Sequence, residues 1–265
     1  MLARRGRAVG MPGIFEKFAN KAKKEGAAQA VKAAAKYAYG RAMSKIRPFM
    51  GSYSQFGEDL EIERLLGGKK EGFYVDVGAN DPDALSNTKR FYKKGWRGIN
   101  IEPNAANLHK FRLLRPRDIN LNIGIGPQGG EMEFYLFDPH ELSTFSAQEA
   151  QKYQNLGYKL VEKKPVGIEP LRDVLQKHAQ GVEIDFLSVD AEGYDLEVLK
   201  SNDWQKFRPR VLCVEITEHA SGKRRGDIEA FLAQAGYLLA KYNGLNGMYV
   251  DGRGGHSVIN NKIHS

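Results

Sequence analysis

Short, nearly continuous apolar runs alternate with helical stretches from Gly57 onward. The runs cover Gly72–Val77, Gly98–Glu102, Ile119–Gly124, Ile184–Val189 and Val211–Ile216. Strands that are buried on both faces have this composition, and helices between them form right-handed crossovers in parallel sheets. The pattern therefore predicts an α/β fold with a doubly wound, mostly parallel sheet.

Two further patterns predict additions to that sheet, a hairpin at its edge and an insertion beyond its strand ends. Tyr237–Tyr242 and Gly247–Val250 are separated by a short segment that contains a glycine, so we expect an antiparallel hairpin at the sheet edge. Residues 131–170 interrupt the alternation with an extra strand over Met132–Phe137, followed by Leu142–Ser146 and a polar helix. Loops beyond strand ends often shape a substrate mouth, so we interpret this stretch as an insertion there. An ordinary surface excursion is the alternative.

The first 50 residues differ in composition from the rest of the chain. Ile14–Ile46 lacks proline, is rich in Ala and Lys, and spaces its apolar residues as a helix does. Pro48 and Gly51 interrupt this pattern, so residues 1–50 are interpreted as a basic helical extension and residues 51–265 as the main domain. Its lysine face predicts peripheral contact of residues 14–46 with an anionic membrane. The alternative is a solvated helix that packs on the main domain or on a partner chain, as in a homo-oligomer.

The net charge must be counted separately for the two parts of the chain before it can indicate a binding partner. The full sequence has a formal charge of +8. Residues 1–50 carry 12 Lys or Arg and two acids, a balance of +10, which leaves residues 51–265 with 28 bases and 30 acids, a balance of −2. The main domain shows no basic groove with interleaved aromatic residues, so nucleic acid is not an expected partner.

Cysteine usage and hydropathy indicate the cellular setting. Cys213 lies in the apolar run Val211–Val214 and is expected to be a small core residue, because a single cysteine cannot form an internal disulfide. No run of 18 apolar residues is present to cross a bilayer. We therefore expect a cytoplasmic protein with peripheral contact at the inner membrane face.

The first predicted strand ends in a turn with an acid at its edge, within Phe73–Pro82. Asp76 and Gly78 lie where doubly wound sheets bind ligands, and Gly78 lets the backbone approach a ligand without a Cβ. Only one glycine is present, so the G-x-G-x-x-G pattern of dinucleotide sites is absent. The negative charge of Asp76 would repel a phosphate group, and it would attract the cationic amino-acid part of a cofactor. Glu102, which ends the next strand, can accept both ribose hydroxyls of a nucleoside.

Acids also end the fourth and fifth predicted strands. Asp190 and Glu192 follow one strand, and Glu215 lies at the end of the other. Carboxylates gathered at one edge are costly unless they act as a base, bind a cation or meet donors. Two roles stay open: Asp190 or Glu192 acts as a general base on a hydroxyl, or Asp190 and Glu215 bind Mg²⁺. His219, three residues after the fifth strand, is a further candidate base.

At these residues the chain resembles the FkbM family of class I methyltransferases. The resemblance runs from about Tyr53 to Ile216 through an ordered series of motifs, which are Tyr53–Asp59, Val75–Asn80, Ser86–Thr88, Trp96–Gly98, Ile101–Pro103, Ser143–Phe145 and Asp185–Leu199. It implies a seven-stranded sheet, S-adenosyl-L-methionine as methyl donor, and methyl transfer to a hydroxyl oxygen. The expected acceptor is a sugar or glycan, with a secondary metabolite as the alternative.

The resemblance also implies which residues form the site. Asp76, Gly78 and Glu102 would hold the methionine and ribose parts, and Asn122–Gly124 would lie beside the adenine. Further residues of the motifs are expected in the cofactor site, namely Asn80, Asp81, Asn87 and Asn122. Substrate contacts are expected from Ser143, Thr144 and Tyr194. Asp81 and Pro82 stand where many relatives have glycine, which affects how the methionine end is held.

Two other functions use the same fold. An oxidoreductase with a nicotinamide cofactor is disfavoured because the glycine fingerprint is missing. A non-catalytic binding module is disfavoured by the intact set of acids at the strand ends. The expected function is an S-adenosylmethionine-dependent O-methyltransferase that acts on a glycan or small-molecule hydroxyl, with the need for a divalent metal left open.

Overall fold

A computed structural model describes residues 51–218 and 222–253 of the chain. The helix expected over residues 14–46 and the candidate base His219 lie outside these ranges. Among the helices that the structure describes, none is long and apolar enough to cross a membrane.

Strands and helices alternate along the described part of the chain. The strands are β1 Phe73–Val77, β2 Arg97–Ile101, β3 Ile119–Leu121, β4 Gly124–Ile125, β5 Gly130–Asp138, β6 Lys159–Glu169, β7 Phe186–Val189, β8 Val211–Glu215, β9 Tyr237–Tyr242 and β10 Asn246–Asp251. The α-helices are α1 Glu58–Leu65, α2 Lys89–Lys93, α3 Ala105–Leu114, α4 Ala147–Asn155, α5 Leu171–His178, α6 Asp195–Lys200 and α7 Gly226–Gln234.

Seven strands form the main sheet in the order β3-β2-β1-β7-β8-β10-β9. Pairing is parallel from β3 to β8, while β10 runs antiparallel to both β8 and β9. The predicted doubly wound, mostly parallel α/β sheet is confirmed. The chain moves outward from β1 in one direction and then resumes on the other side at β7, so the strand order reverses between these two neighbours. A ligand crevice is expected beyond the carboxyl ends of strands at such a point.

Each face of the main sheet carries its own apolar core. Along β1, Val75 and Val77 belong to the cluster that α5, α6 and α7 cover, whereas Tyr74 belongs to the cluster that α1 and α2 cover. This division follows from the alternation of side chains along a strand. Cys213 lies in the second cluster and is 1% exposed, which confirms it as a buried core residue. Both cores hold the strand ends in fixed positions.

A second, three-stranded sheet of order β4-β6-β5 changes two sequence expectations. The single strand expected over Ile119–Gly124 is wrong, because β3 stays in the main sheet while β4 pairs with β6. The extra strand expected over Met132–Phe137 is present as the longer β5, paired with β6. No sequence pattern had indicated β6, whose charged residues and Pro165 have low strand propensity.

Candidate active site

A cleft opens where the parallel strands end, at the switch between β1 and β7. It encloses about 1210 Å³ of empty space, part of it open to solvent. Its described lining includes no Lys or Arg and six carboxylates, which are Asp76, Glu102, Glu141, Asp190, Glu192 and Glu215.

The turn after β1 packs tightly against its neighbours. The amide nitrogens of Gly78 and Ala79 donate to the carbonyl of Ile101 at 3.0 and 3.2 Å. Gly78 has φ +77°, and a Cβ there would lie 1.8 Å from the carbonyl oxygen of Asp190. The sequence argument that this glycine makes room for a ligand is therefore wrong in its reason, because protein backbone occupies that space. Gly78 lets the ends of β1, β2 and β7 meet at the cleft.

Asp76 lies on β1 and is 5% exposed. Its Oδ2 accepts a hydrogen bond from the Thr88 hydroxyl at 2.9 Å. Burial raises the pKa of Asp76 to about 6, and the hydrogen bond from Thr88 and the charge of Arg115 both act against that rise. Near neutral pH this side chain is an anion at the floor of the cleft, suited to a cationic ligand group.

Glu102 follows β2 and has a double structural role. One carboxylate oxygen accepts the amide N–H of Asn80 at 2.7 Å, and the other accepts that of Asn104 at 2.6 Å. These contacts hold Asn80 at φ 54°, a left-handed conformation that asparagine tolerates better than most residues. Burial raises the pKa of Glu102 to about 7 despite both hydrogen bonds. The carboxylate thus shapes the turn after β1 and lines the cleft at once.

The remaining predicted cofactor residues divide into two groups. Asn87 lines the cleft and donates its amide to the Ser188 hydroxyl at 3.0 Å. The structure does not bring Asp81 or Asn122 to the cleft lining. Asp81 accepts the amide N–H of two following residues and pairs with Lys110 at 2.9 Å, which lowers its pKa. Asn122 donates to the carbonyl of Glu102 at 2.8 Å and so braces the end of β2.

Asp190 and Glu192 lie just beyond β7. Burial, with the nearby carboxylates of Asp195 and Asp76, raises the pKa of Asp190 to about 7, and its buried Oδ1 has no hydrogen-bond partner. Glu192 has φ 49° and accepts the Tyr153 hydroxyl at 2.7 Å. Burial and the charge of Asp190 raise the pKa of Glu192 well above its usual value. The Asp190 carboxyl can therefore accept a proton near neutral pH, the property that a general base requires, whereas the direction of the Glu192 shift favours its protonated form.

A tight group of carboxylates forms where β7 and β8 end. Oxygen atoms of Asp190, Asp195 and Glu215 all lie within 4.8 Å of one another. Both oxygens of Asp195 accept amide N–H groups, from Ala191 at 2.8 Å and Gly193 at 3.1 Å, so its first task is to hold the turn after β7. Glu215 is 8% exposed, and burial raises its pKa well above the usual value. Asp190 and Glu215 are adjacent, as the sequence predicted, and Asp195 is an addition to that prediction.

The second sheet and the segment after β5 line one side of the cleft. Thr144 donates its hydroxyl to the carbonyl of Glu192 at 2.8 Å, which ties this side to the turn after β7. Ser143 lines the cleft while its hydroxyl accepts the amide N–H of Phe137 at 3.1 Å. Tyr194 also lines the cleft, with its ring centroid 6.2 Å from that of Phe145. All three predicted substrate residues lie at the cleft, although the hydroxyls of Thr144 and Ser143 already have protein partners.

Three groups of comparisons bear on the identity of the chain. The family model described as the methyltransferase FkbM domain matches residues 76–239, more than half of the 265 residues. No curated protein matched the chain. Among solved structures, the chain is similar to one titled delta-N METTL16 MTase domain, with 15% identity, a TM-score of 0.35, and coverage of 72% of this chain and 78% of that one. It is also similar to a fibrillarin/Nop5p complex, with 14% identity, a TM-score of 0.35, and coverage of 74% and 79%.

The carboxylates at the strand ends and the doubly wound sheet were expected from the sequence, and the family match runs from Asp76 in β1 to Leu239 in β9. Membership implies S-adenosylmethionine as the methyl donor. The chain belongs to the FkbM domain family of methyltransferases.

Proposed function

We propose that this protein transfers a methyl group from S-adenosylmethionine to a hydroxyl oxygen, with a sugar or glycan as the acceptor. The observation that carries the proposal is the convergence of two pairs of acids in one cleft. Asp76 and Glu102 lie at the ends of β1 and β2, and Asp190 and Glu192 lie beyond β7. The first pair suits a cofactor, and the second pair suits an acceptor hydroxyl.

The charge of the cleft supports this cofactor over a dinucleotide. S-adenosylmethionine carries a sulfonium and an ammonium group, and its ribose offers two hydroxyls to a carboxylate such as Glu102. A pyrophosphate would instead meet six carboxylates and no Lys or Arg among the described lining residues. Like-charge contact in a buried site is strongly unfavourable. The nicotinamide alternative is therefore disfavoured by geometry as well as by the missing glycines.

The reaction that fits the cleft is a direct displacement. When bound, S-adenosylmethionine supplies an electrophilic methyl carbon; the acceptor oxygen forms the new C–O bond as the C–S bond breaks and its electron pair stays on sulfur. The hydroxyl proton passes to the carboxylate of Asp190 or to that of Glu192, both of which line the cleft. Alignment of the two reactants supplies much of the rate enhancement, and a pKa of about 7 at Asp190 suits proton uptake near neutral pH.

A divalent metal on Asp190 and Glu215 is the alternative role for these acids. The separation of the oxygen atoms would suit a cation, but both oxygens of Asp195 already hold backbone amides. Under the base hypothesis, methyl transfer continues after exhaustive chelation and does not respond to added Mg²⁺ or Mn²⁺. Loss of transfer on chelation, with recovery on adding one of these ions, would establish the metal role instead.

The experiment for the proposed function uses methyl-labelled S-adenosylmethionine. The purified protein is incubated with glycan and metabolite extracts, and products heavier by one CH₂ are sought by mass spectrometry, with S-adenosylhomocysteine measured in parallel. We expect a labelled methyl ether that is absent with the double variant Asp190→Asn, Glu192→Gln. Labelled products that carry the methyl group on nitrogen or carbon would contradict O-methylation.

A further inference from the structure

Arg115 is a fully buried cation that the proposed reaction does not use. It follows α3 directly and is 1% exposed. Its guanidinium lies outside the cleft lining, with Asp118 at 3.9 Å as an ion-pair partner. Burying a charge of this kind is costly, so its hydrogen bonds must be numerous and well placed.

One arm of the guanidinium points toward Asp76. Nη1 of Arg115 donates to the Thr88 hydroxyl at 3.1 Å and approaches the Tyr74 hydroxyl at 3.4 Å. Thr88 is 0% exposed and donates its own hydroxyl proton to Oδ2 of Asp76 at 2.9 Å. A hydroxyl that accepts from an arginine directs its own proton away from it, toward Asp76 or toward the Ser86 hydroxyl at 3.2 Å, and the carboxylate is the stronger acceptor of the two. The chain Arg115–Thr88–Asp76 therefore orients a carboxylate of the cleft from behind.

The other arm holds the loop that covers the same end of the cleft. Nη2 of Arg115 donates to the carbonyl of Pro82 at 2.6 Å and to the Ser86 hydroxyl at 3.0 Å. Between these two contacts, Leu85 adopts φ 54°, an unfavourable conformation for a leucine that needs support from its surroundings. Leu85, Ser86 and Asn87 all line the cleft. One guanidinium thus joins the loop to the floor of the site.

We propose that Arg115 is a positioning residue for cofactor binding, which orients Asp76 through Thr88 and fixes the loop Pro82–Asn87 in the shape that admits the methyl donor. This inference rests on the proposed function for the identity of the ligand. A lysine cannot replace Arg115, because its single side-chain nitrogen cannot donate to the Thr88 hydroxyl and to the acceptors of the loop at the same time, as the two nitrogens of the planar guanidinium do. The positive charge of Arg115 also acts to lower the pKa of Asp76.

The test combines cofactor binding with a direct titration of Asp76. Arg115→Gln and Arg115→Lys are compared with Arg117→Gln, a matched control that removes an exposed arginine whose Nη2 donates to the carbonyl of Tyr92 at 2.6 Å. Binding of S-adenosylmethionine is measured by calorimetry at several pH values, and the Asp76 carboxyl is followed by carbon-13 NMR in the free protein. Thermal unfolding shows whether each variant is folded.

We expect Arg115→Gln to weaken binding about tenfold or more at pH 7, in line with the usual effect of losing a residue that supports a site. The Asp76 titration should move upward from its position near 6. Arg115→Lys should keep the pKa of Asp76 close to its wild-type value, because the positive charge is preserved. It should still weaken S-adenosylmethionine binding, because the two donor nitrogens of the guanidinium are lost. Arg117→Gln should match the wild-type protein in both measurements.

A folded Arg115→Gln protein with unchanged affinity and an unchanged Asp76 titration would overturn the proposal. If that variant does not fold, Thr88→Val decides, since it removes the hydroxyl that joins Arg115 to Asp76 and leaves the arginine in place. An Asp76 titration that does not move in this variant would also contradict the proposal. If wild-type protein does not bind S-adenosylmethionine at all, the proposed function fails, while the NMR titration still tests whether Arg115 controls Asp76.

Discussion

At the scale of single residues, Glu102 shows how one carboxylate serves both folding and binding. Its two oxygens accept the amides of Asn80 and Asn104, and its burial raises its pKa to about 7 from an ordinary 4.5. A native pKa above the unfolded value means that the native state binds the proton more tightly. The stability from this group is therefore fully present below about pH 4.5 and is lost as pH rises through 7.

The first prediction concerns that loss. Between pH 5 and pH 8, the free energy of unfolding of the free wild-type protein should fall, with up to about 3 kcal/mol of the decrease due to Glu102. Glu102→Gln should remove this part of the pH dependence, while losing some stability at all pH values because one amide N–H loses its acceptor. Urea denaturation across this pH range measures both. Equal pH dependence in the two proteins would show that Glu102 has an ordinary pKa.

Acids at strand ends could be predicted from the sequence, whereas their partners could not. Asp76, Glu102, Asp190 and Glu215 stand out because each follows an apolar run, and strand ends of one parallel sheet meet at one edge. The Tyr153 hydroxyl reaches Glu192 across 39 positions in the chain. Such a contact depends on tertiary packing and leaves no local pattern.

At the scale of elements, the second sheet and α4 form a wall that supports the acids beyond β7. Tyr153 lies on α4 and is 1% exposed, with its hydroxyl on Glu192. Thr144 supports the same turn through the Glu192 carbonyl. This wall was predicted only in outline, since β5 and α4 show recognisable patterns but the charged sequence of β6 does not.

The second prediction tests that support. The hydrogen bond from Tyr153 lowers the pKa of Glu192 against the larger effect of burial, so Tyr153→Phe should raise this pKa further. If Glu192 is the base, the rising limb of the pH–rate profile for methyl transfer shifts to higher pH, and kcat at pH 7 falls about tenfold. KM for S-adenosylmethionine should change little. An unshifted profile would assign the base to another group, with Asp190 next.

At the scale of the whole molecule, charge is distributed very unevenly. Residues 1–50 have a balance of +10, and residues 51–265 a balance of −2. The fold class and the hairpin of the main domain followed from sequence patterns, because buried strands and tight turns leave local signals. The order of the strands in the sheet came only from the structure. For residues 1–50 the sequence shows only a basic composition, so the membrane role of this segment stays a prediction.

The third prediction concerns this segment. Full-length protein should bind vesicles that contain anionic lipid weakly, through residues 14–46, and the binding should fall as salt is added, because surface charge is screened over a Debye length. A version that lacks residues 1–46 should bind much less, with neutral vesicles as the control. Equal binding by the two proteins in vesicle sedimentation would contradict a membrane role for the segment.

The proposed function depends most on the cofactor, so the most direct measurement is calorimetric titration of S-adenosylmethionine into the purified protein and into Asp76→Ala and Glu102→Ala. We predict one molecule bound per wild-type chain and affinity at least about tenfold weaker in each variant, as expected when a buried charged partner is removed. Asp173→Ala, which changes an exposed acid on α5 outside the cleft lining, serves as the matched control and should retain the affinity. Wild-type affinity in both Asp76→Ala and Glu102→Ala would contradict the assignment of this cleft.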